Sequence, residues 1–383
     1  MRVGGRVLDA TGTHLVLADA RASVRVALAK PIRVEPGELV VVEGARTSRG
    51  IERARVVSRS PGRAPSAESE FGRLGLGAIG ASLEARARAL RVVRRYFDER
   101  GFVEVETPIR VPSPGLDANV EAVPAAGGFL ITSPELAMKR LLVGGLPRIY
   151  QLTHATRADE RGHLHEAEFT MLEWYRAFSD MDSVIADTEA LAVAVVREIG
   201  RARTVRTPSG KNVEMRAPFP RMTVRQAFKK YAGVADACDL ALADEGRFFE
   251  LLVEKVEPGL AKHRRPVVLV EFPRSMGALA RPAEHDASVV ERFEIYVGEV
   301  ELCNGFGELT DPVEQRRRFD LELARRKQAG APEYPLDERF LAALDEGMPP
   351  SGGNALGFDR LVALALGVPR IADVMAFPGE AIS

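Results

Sequence analysis

Residues 157–176 read Arg-Ala-Asp-Glu-Arg-Gly-His-Leu-His-Glu and then Ala-Glu-Phe-Thr-Met-Leu-Glu-Trp-Tyr-Arg. Charge comes first, then a Gly/His turn, then a half-apolar stretch holding the chain's single tryptophan. This layout predicts an antiparallel hairpin whose loop carries charge toward a triphosphate. Arg157 could grip an α-phosphate with its planar fork and His165 the triphosphate tail, while Phe169 could stack on a base. Alone, a charged hairpin is usually a solvated hairpin. Two other stretches add to it. In Thr132-Ser-Pro-Glu135, a proline-marked turn opens a helix, and Glu135 there could receive an ammonium. Locally the simpler reading is that Ser133 caps that helix and Glu135 favours its first turn. Further on, Glu301 and Glu308 flank a Cys303-Asn-Gly305 bend able to hold Mg²⁺ between carboxylates and phosphate oxygens. Glycines 352, 353 and 357 precede Arg360 and would let backbone approach a nucleotide closely. An arginine at a helix start opposes the helix dipole, so an anionic ligand would account for Arg360. Cys303 reads as a small packing residue rather than a nucleophile.

The elements that must position these residues follow from pattern. Residues 1–60 place valines and leucines in short runs broken by Gly or Pro, predicting a small OB-like β-barrel module of four or five strands. Residues 1–65 carry 12 Lys+Arg against 6 Asp+Glu, about +6 within a chain of net charge −1. Such a piece either meets an acidic partner or RNA, or is a solvated basic surface on a structural appendage. Residues 61–80, rich in Ser, Pro, Gly and Ala, read as a linker, and 81–383 as the catalytic domain. There, Ser82 is a plausible N-cap for an amphipathic helix ending at Gly101, followed by a strand and Pro108. Further helices are expected at 183–200 and 357–367, with a helical insertion at 220–265. Strands are expected at 267–272 and 292–302. The length allows two or three domains and a large core. Two cysteines are too few for a disulfide framework or zinc cluster, and fit a reducing, cytoplasmic setting. No stretch is apolar enough for a membrane span or a signal peptide.

Together the segments resemble the three signature motifs of class II aminoacyl-tRNA synthetases. Motif 1 is the helix from Ser82, its strand and Pro108; motif 2 is 157–174; motif 3 is Gly357-Phe-Asp-Arg360 with its helix. Within that class the wording is that of the lysine subgroup: Ser133-Pro-Glu135, Met171-Leu-Glu-Trp-Tyr175, Asn304-Gly-Phe306 and Glu308-Leu309. Lysyl-tRNA synthetases normally carry a complete N-terminal anticodon-binding domain, whereas only about 60 residues precede the linker here. The chain is more similar to the truncated relatives that attach (R)-β-lysine to elongation factor P, most of all in 133–145 and 165–176. Ala355 stands where lysyl-tRNA synthetases usually have glycine, a methyl that would shrink the pocket beside the substrate's α-carbon. Motif 2 departs from Phe-Arg-x-Glu, reading Thr156-Arg-Ala-Asp159 with Glu160 next. Glu166 replaces an asparagine, adding negative charge near the triphosphate, and Gly307 a histidine.

The resemblance implies an α+β fold: an antiparallel sheet flanked by helices, behind the small β-barrel module. It implies ATP-dependent activation of (R)-β-lysine or lysine with Mg²⁺, then transfer to a lysine of elongation factor P. Arg157 and Arg360 would be catalytic. Ser133, Glu135, Tyr175, Asn304, Glu308 and Ala355 would bind the amino acid. Arg157, Asp159, Glu160, His165, Glu166, Phe169, Glu301, Leu302, Gly357 and Arg360 would bind ATP, and Glu301 and Glu308 the metal. Whether Glu308 serves mainly metal or ammonium is left open by the sequence. A homodimer through motif 1 is implied. The rivals are a short synthetase charging tRNA and a catalytically idle synthetase-like binding protein.

Overall fold

Alternating apolar and polar residues drive the first sixty residues into five strands: β1 (Arg2–Thr11), β2 (His14–Ala18), β3 (Ser23–Leu28), β4 (Leu39–Thr47) and β5 (Gly50–Ser60). They close into a barrel in the order β1-β2-β3-β5-β4. Inward residues such as Val7, Leu17, Val26, Val42 and Ile51 fill it with aliphatic side chains. The computed structural model describes residues 1–77, 79–116, 120–158, 160–200, 203–277 and 279–381. These fall into two compact units, Met1–Ala87 with Val374–Ala376, and Arg88–Asp373 with Phe377–Ser383. The stretch read as a linker includes a short helical turn, Gly72–Leu76, and the Arg6 guanidinium lies over the Phe71 ring.

The second unit is built on an eight-stranded sheet. Its strands are β6 (Val103–Glu104), β7 (Arg148–Thr156), β8 (Glu168–Ala177), β9 (Arg221–Thr223), β10 (Val267–Pro273), β11 (Val289–Val297), β12 (Val300–Gly307) and β13 (Ser351–Gly357). Their order is β9-β10-β11-β12-β13-β8-β7-β6. All neighbouring pairs are antiparallel except β9-β10 and β6-β7. Helix α1 (Ile79–Asp98) brings Phe97 to the back of this sheet, stacked on Tyr150 with centroids 4.5 Å apart and tilted against Trp174 at 5.5 Å. Burying side chains of this size contributes ~1.5–3 kcal/mol each. Ser82 lies inside α1, one turn after its start, and so does not cap it.

Two expectations about strands need correcting. The single strand expected at 292–302 is a hairpin, β11 and β12, turning at Gly298 with φ +64°. The expected Cys303-Asn-Gly305 bend is instead straight strand within β12. Gly305 is there for closeness rather than turning: a Cβ would meet Phe293 Cε1 at 2.4 Å and the Gly353 carbonyl at 2.7 Å. The insertion is helical as expected, closed around Phe228 and Phe248. Helix α2 (Glu135–Val143) packs on β7 and β8, and helix α3 (Met181–Ile199) starts at the Asp180 cap. Helix α4 (Phe358–Leu366) directly follows β13.

Candidate active site

Side chains on a strand alternate faces, so cross-strand register decides which residues share a floor. One continuous row runs Gln151, Glu173, Ala355, Asn304, Glu294 across β7, β8, β13, β12 and β11. The next row on the same face runs Ile149, Tyr175, Gly353, Phe306, Arg292. Glu301 is three residues from Asn304 and would face the other way on a regular strand. A bulge corrects this: Cys303 pairs with Ile295 and Glu301 with Tyr296, leaving Leu302 as the extra residue.

Over this floor lies a buried acidic cluster. Glu135 opens α2, and Lys139 one turn later bonds its carboxylate at 2.6 Å and that of Glu308 at 2.5 Å. Lys139 and Glu308 are both fully buried. The Ser133 hydroxyl donates to Glu173 at 2.8 Å and accepts from the Glu135 backbone N–H at 3.0 Å. The Tyr175 hydroxyl donates to the other Glu173 oxygen at 2.5 Å. Ser133 thus holds the first N–H of α2 from one residue before the Pro134 cap and, on its other side, touches Glu173. Among the described residues, this cluster sets Glu135, Glu173 and Glu308 against Lys139. Nearby Arg281 is engaged with Glu291 at 2.7 Å.

Burial opposes charge on Lys139, Glu173 and Glu308. It would lower the Lys139 pKa, but Glu135 and Glu308 outweigh it and hold the ammonium above its usual value. Glu173 is pushed up to about 8, by burial first and by the Glu135 charge second. Burial also raises Glu308, against the pull of Lys139. Gly353 makes room for the cluster, because a Cβ would meet both Glu308 Oε1 and Tyr175 Cε1 at 2.3 Å. This corrects the expectation that this glycine admits a nucleotide: what approaches it is the chain's own Glu308.

The other end of the face is cationic. Arg360 sits in the first turn of α4, after the Gly357 cap. It donates to the carbonyls of Leu164 at 3.2 Å and Glu301 at 2.8 Å, and to His165 Nε2 at 2.8 Å. His165 is thus a neutral acceptor, its pKa lowered by burial and then by Arg360. The Glu301 carboxylate lies 3.9 Å from Arg360. Arg157 lies over the Phe169 ring at 5.3 Å and 3.6 Å from Glu160, and its Nε is buried without a partner among the described residues. Glu166 accepts from the Gly379 backbone N–H at 3.1 Å, so it fastens a backbone segment. Leu302 is fully buried and Asp159 lies outside the described residues. No group of three or more His, Cys, Asp or Glu among the described residues is arranged to hold a metal ion. Glu301, partly exposed, fits a hard cation that takes its remaining ligands from phosphate and water.

Sequence reasoning missed Lys139, Gln151 and Glu173. Glu173 could have been found from its spacing of two to Tyr175, which puts both on one face. The other two depend on helix packing and register.

An antiparallel sheet with a buried acid cluster at one end and arginine forks at the other defines a synthetase-type site. The chain matches the class II tRNA synthetases (D, K and N) over residues 76–381 and belongs to that family. It is 40% identical over 314 residues to the elongation factor P–(R)-β-lysine ligase of Edwardsiella ictaluri, covering 78% of this chain and 94% of that one. The ligase of the same name from Proteus mirabilis is 39% identical, over 78% and 95%. A lysine–tRNA ligase of Moorella thermoacetica is 35% identical, over 76% of this chain and 64% of its own.

Proposed function

We propose that the chain is an ATP-dependent ligase that activates (R)-β-lysine or lysine and passes it to a lysine side chain of elongation factor P. The observation that carries this is the buried set Glu135, Glu173, Glu308 and Lys139 on the Ala355 floor. With all three carboxylates ionised, the set has a surplus of two negative charges, which suits a substrate with two ammonium groups. The likeness to two ligases of that name, along almost their whole length, supports the acceptor.

In the first step a substrate carboxylate oxygen attacks the α-phosphorus of ATP. The bond to the bridging oxygen breaks, giving an aminoacyl-adenylate and pyrophosphate. Arg157 and Arg360 offset charge on the phosphates with forks held in place beforehand. Glu301 would hold Mg²⁺, which when bound neutralises phosphate charge. Glu135 receives the amine nearest the carboxylate, and Glu308 with Tyr175 receives the terminal ammonium. Its burial and its bond to Lys139 favour the ammonium over the metal for Glu308. In the second step the acceptor's ε-amine attacks the acyl carbonyl, AMP leaves and the amine loses a proton.

No helix of the described residues is long and apolar enough to cross a membrane, and the reaction belongs in the cytoplasm. A homodimer through the motif 1 edge is in keeping with edge strand β6 and the exposed Val103 and Ile109 nearby. Transfer to tRNA is the second reading, favoured by the lysine–tRNA ligase relative. Against base stacking on the barrel, the first Phe, Tyr or Trp of the chain is Phe71. Pyrophosphate exchange with (R)-β-lysine and with L-lysine tests activation, and no exchange with either rules the ligase out. Labelled amino acid appearing on tRNA but not on elongation factor P would overturn the acceptor.

A further inference from the structure

Gln151 is a polar residue in the interior of β7, only 3% exposed. Its Oε1 is buried and has no partner among the described residues. Buried amide oxygens are nearly always paired, so an orphan beside a ligand site asks for a donor from the ligand. Register places Gln151 directly across from Glu173, whose other neighbour is Ala355. On the far side of Ala355, Asn304 Oδ1 is also buried without a donor among the described residues.

A substrate ammonium brings three N–H donors and needs three acceptors. Both Glu173 oxygens already accept, from Ser133 and Tyr175, and one Glu135 oxygen accepts from Lys139. The carboxylates supply charge, and part of their accepting capacity is already taken. A further oxygen next to Glu173 adds an acceptor for the third N–H.

Resting on the ligase reading, we infer that Gln151 is a specificity-determining residue whose Oε1 accepts a hydrogen bond from the substrate ammonium seated at Glu173. It acts on the amino acid and not on ATP.

The test is steady-state pyrophosphate exchange by the full chain, varying the diamino acid and ATP separately, for wild type, Gln151→Met and Gln151→Glu. Methionine keeps the length and removes the acceptor; glutamate restores an acceptor oxygen. The expected result for Gln151→Met is a rise in KM for the diamino acid of about tenfold or more. Its kcat and its KM for ATP should stay within about twofold, and Gln151→Glu should recover most of the loss. An unchanged KM in Gln151→Met overturns the inference. So does an equal rise in both variants, which would mean a packing role. A wild type inactive with both acids removes the ligase reading and this inference with it. A wild type that exchanges normally, beside an unaffected Gln151→Met, removes this inference alone.

Discussion

Burying Lys139 between Glu135 and Glu308 makes its charge part of the pocket's architecture. Lys139→Met would leave buried Glu308 and partly buried Glu135 short of their partner, and breaking such a buried pair typically costs about 3–5 kcal/mol. Urea unfolding should record that loss, while exposed Arg140→Ala stays within about 0.5 kcal/mol. The neighbouring pair explains why Lys139 was illegible: Lys-Arg on a helix reads as a solvated face until the packing of α2 is known. Glu173 carries a pH signature. Its folded pKa, about 8, lies above the ordinary 4.5, so the free chain gains a proton on folding. That contribution is complete below about pH 4.5 and fades as pH rises through about 8. A dicationic substrate needs the ionised form, so binding below pH 8 should release a proton and KM should fall from pH 6 to 8. Calorimetry in two buffers of different ionisation enthalpy checks this; identical heats would contradict it. Ala355 faces the same row, and Ala355→Gly should shift the exchange ratio toward α-lysine. An unchanged ratio would remove the argument that this methyl sets the pocket's depth.

At the scale of elements, the fold was readable wherever apolar periodicity was long. The barrel, the helix before Pro108, the strand at 267–273 and the helix after Gly357 all follow from it. Reading failed where glycine has two meanings. Gly305 and Gly353 looked like a bend and a nucleotide cradle, yet both sit in straight strands and admit neighbouring side chains. Sequence reports the missing Cβ but not what fills the space. Gly353→Ala tests the assignment, because the methyl must displace Glu308 or Tyr175. We expect a loss of about 1–3 kcal/mol in chemical denaturation, as for other overpacked sites. Lysine-dependent exchange should fall with it. A stable, fully active alanine variant would mean the two side chains have room to move. The hairpin β11–β12 was missed because its turn is only Gly298 and Glu299, set between Val297 and Val300.

For the whole molecule, charge is divided unevenly along the chain. Residues 1–65 carry about +6 and the rest about −7. Several barrel arginines pair locally, such as Arg59 with Glu38 and Arg55 with Glu43. Arg25, Arg46 and Arg49 are exposed. If the barrel guides an acidic acceptor, reversing these three to glutamate should leave pyrophosphate exchange unchanged. Transfer should slow about tenfold at low salt, and less at high salt. Equal transfer rates would show the barrel to be electrostatically idle. The family was legible because its motifs are contiguous words in the sequence. The pocket that gives those words meaning was not, since it is assembled from five strands whose pairing is set only by the fold.

The extra residue at Leu302 works like a change of reading frame. Every residue on its N-terminal side in β12 has its facing inverted relative to the residues after it. Straightening the strand so that Leu302 pairs like its neighbours would keep every functional letter and turn Glu301 away from its arginine. Redesign of this pocket therefore has to count residues as well as choose them.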